Sequence, residues 1–116
     1  MQYLLLIYGE EGKEPKPDSP EFGPWMGRWA AVSETFVKDG VMQGGNALNP
    51  VSTATSVKMR EGKTETMDGP FAETKEQLGG YYLLDCPDLD SAVKYAAMLP
   101  AAEYGTIEIR PIMVFD

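Results

Sequence analysis

The stretch "DGPFAETKEQLGGYYLLD", Asp68 to Asp85, decides the fold. Its second half continues into "GGYYLLDC" (79–86), an apolar run that reads as a strand. Its first half leaves the strand-like "KTETMD" (63–68) and crosses a polar, glycine-punctuated connection. Connections in a compact domain usually take about 4–6 residues, and this one is longer. It carries Asp68, Glu73, Lys75 and Glu76. Such a loop is either a lid over a site or a contact between subunits.

Working outward, "TATSVKMR" (53–60) alternates, and Glu61-Gly62 separates it from "KTETMD" in the manner of a two-residue hairpin. Before it, "VMQGGNAL" (41–48) reads as a short strand bent at Gly44-Gly45. The chain opens with the apolar run Gln2 to Tyr8, a buried central strand. A polar, proline-rich loop follows, and Ser19-Pro20 resembles a helix cap with proline at the first helical position. From Trp25 to Asp39 the spacing predicts a helix, with Trp25, Trp29, Val32 and Phe36 on one face and Gly40 as its stop. On the other side, Asp88 caps a helix over Leu89–Leu99 with Leu89, Val93, Ala96 and Ala97 inward, and Pro100 ends it. "GTIEIRPIMVF" (105–115) is the final strand.

The order is β-α-β, a β-hairpin, then β-α-β. It predicts an α+β, ferredoxin-like antiparallel sheet with two helices on one face. Length fits a single domain over residues 1–116. Ile107 and Ile109 point one way and Ile112 and Val114 the other, so the second sheet face also needs cover. A second copy of the sheet, a homodimer, is the simplest cover.

Charge and composition exclude several function classes. The formal net charge of −8 and the lack of a basic stripe argue against nucleic acid. No apolar run approaches the roughly 20 residues that cross a bilayer, and no signal peptide is visible. With a single cysteine, Cys86, the default location is the cytoplasm. There is no histidine. That removes Ser-His-Asp and Cys-His mechanisms, and it argues against a metal site or another cofactor. Acid–base work would fall to Asp, Glu, Tyr, Lys or Cys.

"DGPFAETKEQLGGYYLLD" is similar to the signature of the YCII-related proteins, in the branch called DGPF-domain proteins. "YLLLIYG" (3–9), "NPVSTATSV" (49–57), "PDLDSAV" (87–93) and "IEIRPIM" (107–113) fit the same family. The resemblance implies a ferredoxin-like fold that pairs sheet to sheet as a dimeric α/β barrel. It also implies a link to extracytoplasmic-function sigma factors. Related enzymes resemble muconolactone isomerases and dehalogenating hydrolases with a His-Asp pair. Here Glu103 and Tyr104 stand in "PAAEYG", where some relatives carry histidine.

The candidate site residues follow from chemistry and position. Asp68 is either a turn-forming side chain or a carboxylate facing a pocket. Arg110, on a strand that reads as buried, needs a partner, and Glu108 or a carboxylate of the 68–76 loop could supply it. Asp68 as base and Arg110 as electrostatic stabiliser are the catalytic candidates. Glu73 and Lys75 are solvated surface or reach over a pocket. Tyr8, Tyr81 and Tyr82, with Trp25 and Trp29, are core or pocket lining, and Phe71 plugs the core or the dimer interface or touches a ligand. Cys86, with no basic neighbour, reads as inert. Three functions fit: a homodimeric small-molecule-binding or accessory protein, an isomerase or hydrolase of a small organic molecule, and a regulator associated with a sigma factor.

Overall fold

Gln2–Gly9 form β1, the strand at the centre of the sheet, and the structure, a computed structural model, describes residues 1–115. Its alternating side chains divide cleanly. Tyr3 and Leu5 are buried, whereas Leu4 and Leu6 are half-buried on the reverse face. β1 pairs antiparallel with β5 (Gln77–Asp85) on one side and β6 (Thr106–Pro111) on the other. β2 (Met42–Ala47) pairs with the outer edge of β5, giving the order β2-β5-β1-β6. The register places Leu84 opposite Tyr3, and Tyr82 and Ile109 opposite Leu5, on one face. That face carries both helices and the core, in which Leu5, Phe36, Leu84 and Leu99 are fully buried.

Helix α1 spans Phe22–Lys38 and begins earlier than the apolar spacing suggests. Pro24 lies in its first turn, where an N–H has no helical acceptor in any case. Ser19 does not cap it: its hydroxyl bonds the Lys16 carbonyl in the preceding turn. At the other end, Val41 N–H donates to the Phe36 carbonyl and Gly40 N–H to the Val37 carbonyl. Gly40 sits at φ 74°, the left-handed conformation this closing motif requires. Val32 and Phe36 are buried as expected. Helix α2 spans Leu89–Ala97, with the Asp88 carboxylate accepting from Ser91 N–H at 2.9 Å. Its inward face differs from the expected one. Ala92 and Ala96 are buried, while Leu89 and Val93 are about half exposed and Ala97 is exposed. The small residues let the helix lie close to the sheet, with Tyr95 packed against the Phe36 ring at 5.4 Å.

The hairpin is a separate two-stranded sheet, β3 (Thr55–Arg60) with β4 (Lys63–Asp68). Glu61 and Gly62, both at positive φ, make its turn. Neither strand has a buried residue. This arm makes the molecule broad and thin, 48 × 48 × 19 Å with a radius of gyration of 16.3 Å, against about 13 Å for a compact domain of similar length. β6 stops at Pro111, so Met113 and Val114 lie beyond the sheet and are exposed rather than continuing its reverse face. Among the described residues, no helix is long and apolar enough to cross a membrane.

Candidate functional site

The same helical face that fills the core continues, one turn towards the N-terminus of α1, into a cavity. Trp25, Trp29 and Ser33 are spaced four apart, so they share a stripe, and all three line a cavity of about 750 Å³. The rest of the wall comes from the end of β1, from β2 and the chain after it, from β5, and from Ala101 and Tyr104. Two short 3₁₀ turns help build it: Val51–Thr53 follows the residues at the rim, and Pro100–Glu103 delivers Tyr104.

Aromatic rings and a few polar atoms define its chemistry. The Trp25 and Trp29 rings meet edge to face at 6.1 Å and 82°, forming a corner. Tyr82 donates to or accepts from the Ser33 hydroxyl at 2.7 Å, and its ring abuts Phe36 at 5.1 Å. The indole N–H groups of Trp25 and Trp29 are buried without an acceptor. Burial pushes the Tyr104 phenol up, and the nearby Trp25 N–H pulls it partly back. The two groups are neighbours that stop short of a hydrogen bond. Beside them, Arg28 and Glu103 form a two-pronged ion pair. The Arg28 hydrogen bonds hold the Glu103 carboxyl below its usual range.

Charge in the wall is one-sided. Among the described residues, Glu11 and Glu14 are the ionised ones in the lining, and no Lys or Arg joins them. Glu11 accepts from Val51 N–H at 2.8 Å, tying the loop after β1 to the chain after β2. Lys13 and Lys75 both pair with Glu10, at 3.6 and 3.3 Å.

The structure separates the residues singled out in the sequence into two groups. Tyr8, Trp29 and Tyr82 contribute to the cavity wall. Asp68, Phe71, Glu73, Lys75 and Arg110 do not. Asp68 and Glu73 are exposed, and Phe71 is 76% exposed in the single chain, neither in its core nor in the cavity wall. Within the loop, Thr74 Oγ1 donates to the Glu76 carbonyl and Gln77 Nε2 to the Thr74 carbonyl, and Lys75 ties it to Glu10. Arg110, expected to be buried, is 69% exposed and meets Glu108 at 3.3 Å. The physical reason is that β6 alternates, and Arg110 and Glu108 share the reverse face of the sheet, where both are exposed. Cys86 is buried, and that burial raises its thiol pKa. Among the described residues, no group of three or more His, Cys, Asp or Glu is placed to hold a metal ion. Ser33 and Tyr104 were the cavity residues hardest to see in the sequence. Ser33 had a signal, four residues beyond Trp29 on the same stripe, whereas Tyr104 follows a 3₁₀ turn that no periodicity announces.

Comparison with known proteins places the chain. A YCII-related domain model matches residues 1–116. A Rhizobium meliloti protein, uncharacterized protein R00369, is 37% identical over 117 residues, covering 99% of this chain and 94% of that protein. Among solved structures, the fold is similar to that of 5-chloro-2-hydroxyhydroquinone dehydrochlorinase from Burkholderia phenoliruptrix AC1100, in complex with 2,5-dihydroxybenzoquinone. That likeness has a TM-score of 0.51 at 10% identity and covers 97% of this chain and 94% of that one. The chain belongs to the YCII-related family.

Proposed function

We propose that this YCII-related protein binds a small organic molecule in the cavity beneath α1. The observation that carries the reading is the cavity itself: about 750 Å³, with Trp25, Trp29, Tyr82 and Tyr104 contributing to one wall. That volume lies within the roughly 300–1,000 Å³ of small-molecule sites, which are mostly apolar with a few placed polar groups. The dehydrochlorinase with the similar fold holds a small oxygen-bearing molecule, 2,5-dihydroxybenzoquinone, which supports the reading at the level of ligand size.

Intrinsic fluorescence tests this directly, because the chain's two tryptophans both line the cavity. Cyclohexanol, apolar with one hydroxyl, is expected to give a saturable change. Ser33→Phe, which fills the space, is expected to abolish it. A change that survives Ser33→Phe places the ligand elsewhere and ends the proposal.

A second proposal concerns assembly. Leu4, Leu6 and Leu83 are only half-buried on the reverse face of the sheet, opposite the helices. A second copy is the proposed cover. Sedimentation equilibrium at micromolar concentration is expected to return the mass of a dimer, and a clean monomer mass contradicts it.

A further inference from the structure

We infer that the cavity selects an organic cation, a substituted ammonium with an apolar body, and rejects anions. The inference rests on the proposed use of this cavity and adds the charge of its ligand. Three observations carry it. First, Trp25 and Trp29 meet at 82° with centroids 6.1 Å apart, so two indoles form a corner in the wall. Tyr82 and Tyr104 join the same wall. The faces of such rings are electron-rich, and tryptophan attracts a cation most strongly of all. Second, every ionised group in the lining is a carboxylate, Glu11 or Glu14. Glu11 spends one oxygen on Val51 N–H, and among the described residues Glu14 has neither a hydrogen bond nor an ion pair. Third, the cations Lys13, Lys75 and Arg28 are each held by a carboxylate, with Lys13 and Lys75 sharing the single charge of Glu10 and Arg28 facing Glu103. None of the three lines the cavity.

These features act together on a ligand that enters. A carboxylate or phosphate meets no counter-charge inside and two like charges at the rim, and it leaves its hydration shell without replacement. A neutral molecule gains apolar contact alone. A quaternary ammonium is weakly hydrated for a cation, gains the ring faces, and is drawn inward by Glu11 and Glu14.

Three probes of one shape separate these cases. Choline carries a positive charge, 3,3-dimethyl-1-butanol replaces its nitrogen by carbon, and 3,3-dimethylbutanoate carries a negative charge. Each is titrated into the full chain, with tryptophan fluorescence read at low ionic strength. Choline is expected to bind about tenfold more tightly than the alcohol, the scale of one or two ring–cation contacts, and the carboxylate is expected to give no saturable change. The double variant Glu11→Gln, Glu14→Gln keeps the acceptor for Val51 N–H. It is expected to weaken choline severalfold and leave the alcohol unchanged. If the alcohol binds as tightly as choline, or the carboxylate binds best, the cation inference is overturned while the cavity remains a binding site. If none of the three gives a saturable change, the cation inference falls, and the binding reading falls with it only if cyclohexanol is silent as well.

Discussion

The wall under α1 and the β3–β4 arm occupy one chain and obey different rules. In the first, α1 lays Val32 and Phe36 into a core with Leu5 and Leu84, and the same helix carries Trp25, Trp29 and Ser33 into the cavity. Rotamers there are fixed by neighbours on several sides. In the second, two six-residue strands hold only each other, and Val57, Met59 and Met67 are 50–61% exposed. A lone two-stranded hairpin is marginally stable in water. The most distinctive stretch of the sequence, "DGPF", begins at the base of this arm and does not line the cavity, though Pro70 shares a smaller pocket with Leu48, Asn49, Pro50, Gln77 and Leu78 of the cavity wall. A memorable motif therefore marks where the backbone must turn, with Gly69 at φ 93° and its N–H bonded to the Ala54 carbonyl at 2.7 Å. Binding chemistry sits on the plainer residues of α1.

The comparison breaks first, if it is wrong, in the core. Leu5→Ala removes a fully buried side chain beneath α1, so it is expected to cost about 3–5 kcal/mol in urea unfolding. A loss below about 1 kcal/mol would mean that the helical layer is as loosely held as the arm.

Acid offers a gentler probe of the helix ends. Asp88 is held below its ordinary pKa chiefly by the Ser91 N–H bond, and Glu103 chiefly by Arg28. Both folded values lie below the unfolded ones. Their contribution is therefore present above the unfolded carboxylate range and is lost as pH falls through the lowered folded values. The urea midpoint is expected to drop over that acid window, and the drop is expected to be shallower in Asp88→Asn, which can still cap the helix. An unchanged slope in the variant removes Asp88 from the account.

Effects in the arm are expected to be smaller. Val57→Thr leaves an exposed strand position β-branched and is expected to stay within about 0.5 kcal/mol of the parent. A larger loss that deepens on dilution would show that a second copy covers the arm. Smallest of all is the coupling between Asp68 and Arg110. One ends β4 in the arm and the other pairs with Glu108 on the reverse face of the main sheet. A double-mutant cycle of Asp68→Ala and Arg110→Met is expected to be additive within about 0.5 kcal/mol. A coupling above 1 kcal/mol would restore the charge pair.

Much of this was legible in advance. The apolar run of β1, the 3.6-residue stripe of α1, the Asp88 cap and the Glu61-Gly62 turn are local signals, and each forms where its residues call for it. The inward face of α2 was not, because Leu89 and Val93 are the larger apolar residues, while close approach to the sheet favours Ala92 and Ala96. Arg110 misled for a related reason: the strand around it is apolar, but alternation gives it the reverse face, where it is exposed. At the site, Tyr8, Trp29 and Tyr82 were visible as aromatic residues on core-facing elements. Ser33 and Tyr104 join them only when α1, β5 and the Pro100–Glu103 turn are brought together, and no sequence spacing encodes that meeting.

The central claim is that ligand goes under α1 and not to the "DGPF" loop. Backbone amide shifts in a nitrogen-15 labelled sample titrated with cyclohexanol test it most directly. The account predicts saturable shifts clustered at Tyr8, Trp25, Trp29, Ser33, Tyr82 and Tyr104, with residues 68–76 unmoved. Saturable shifts centred on Asp68, Phe71 and Glu73, with Trp25 and Trp29 silent, would contradict it.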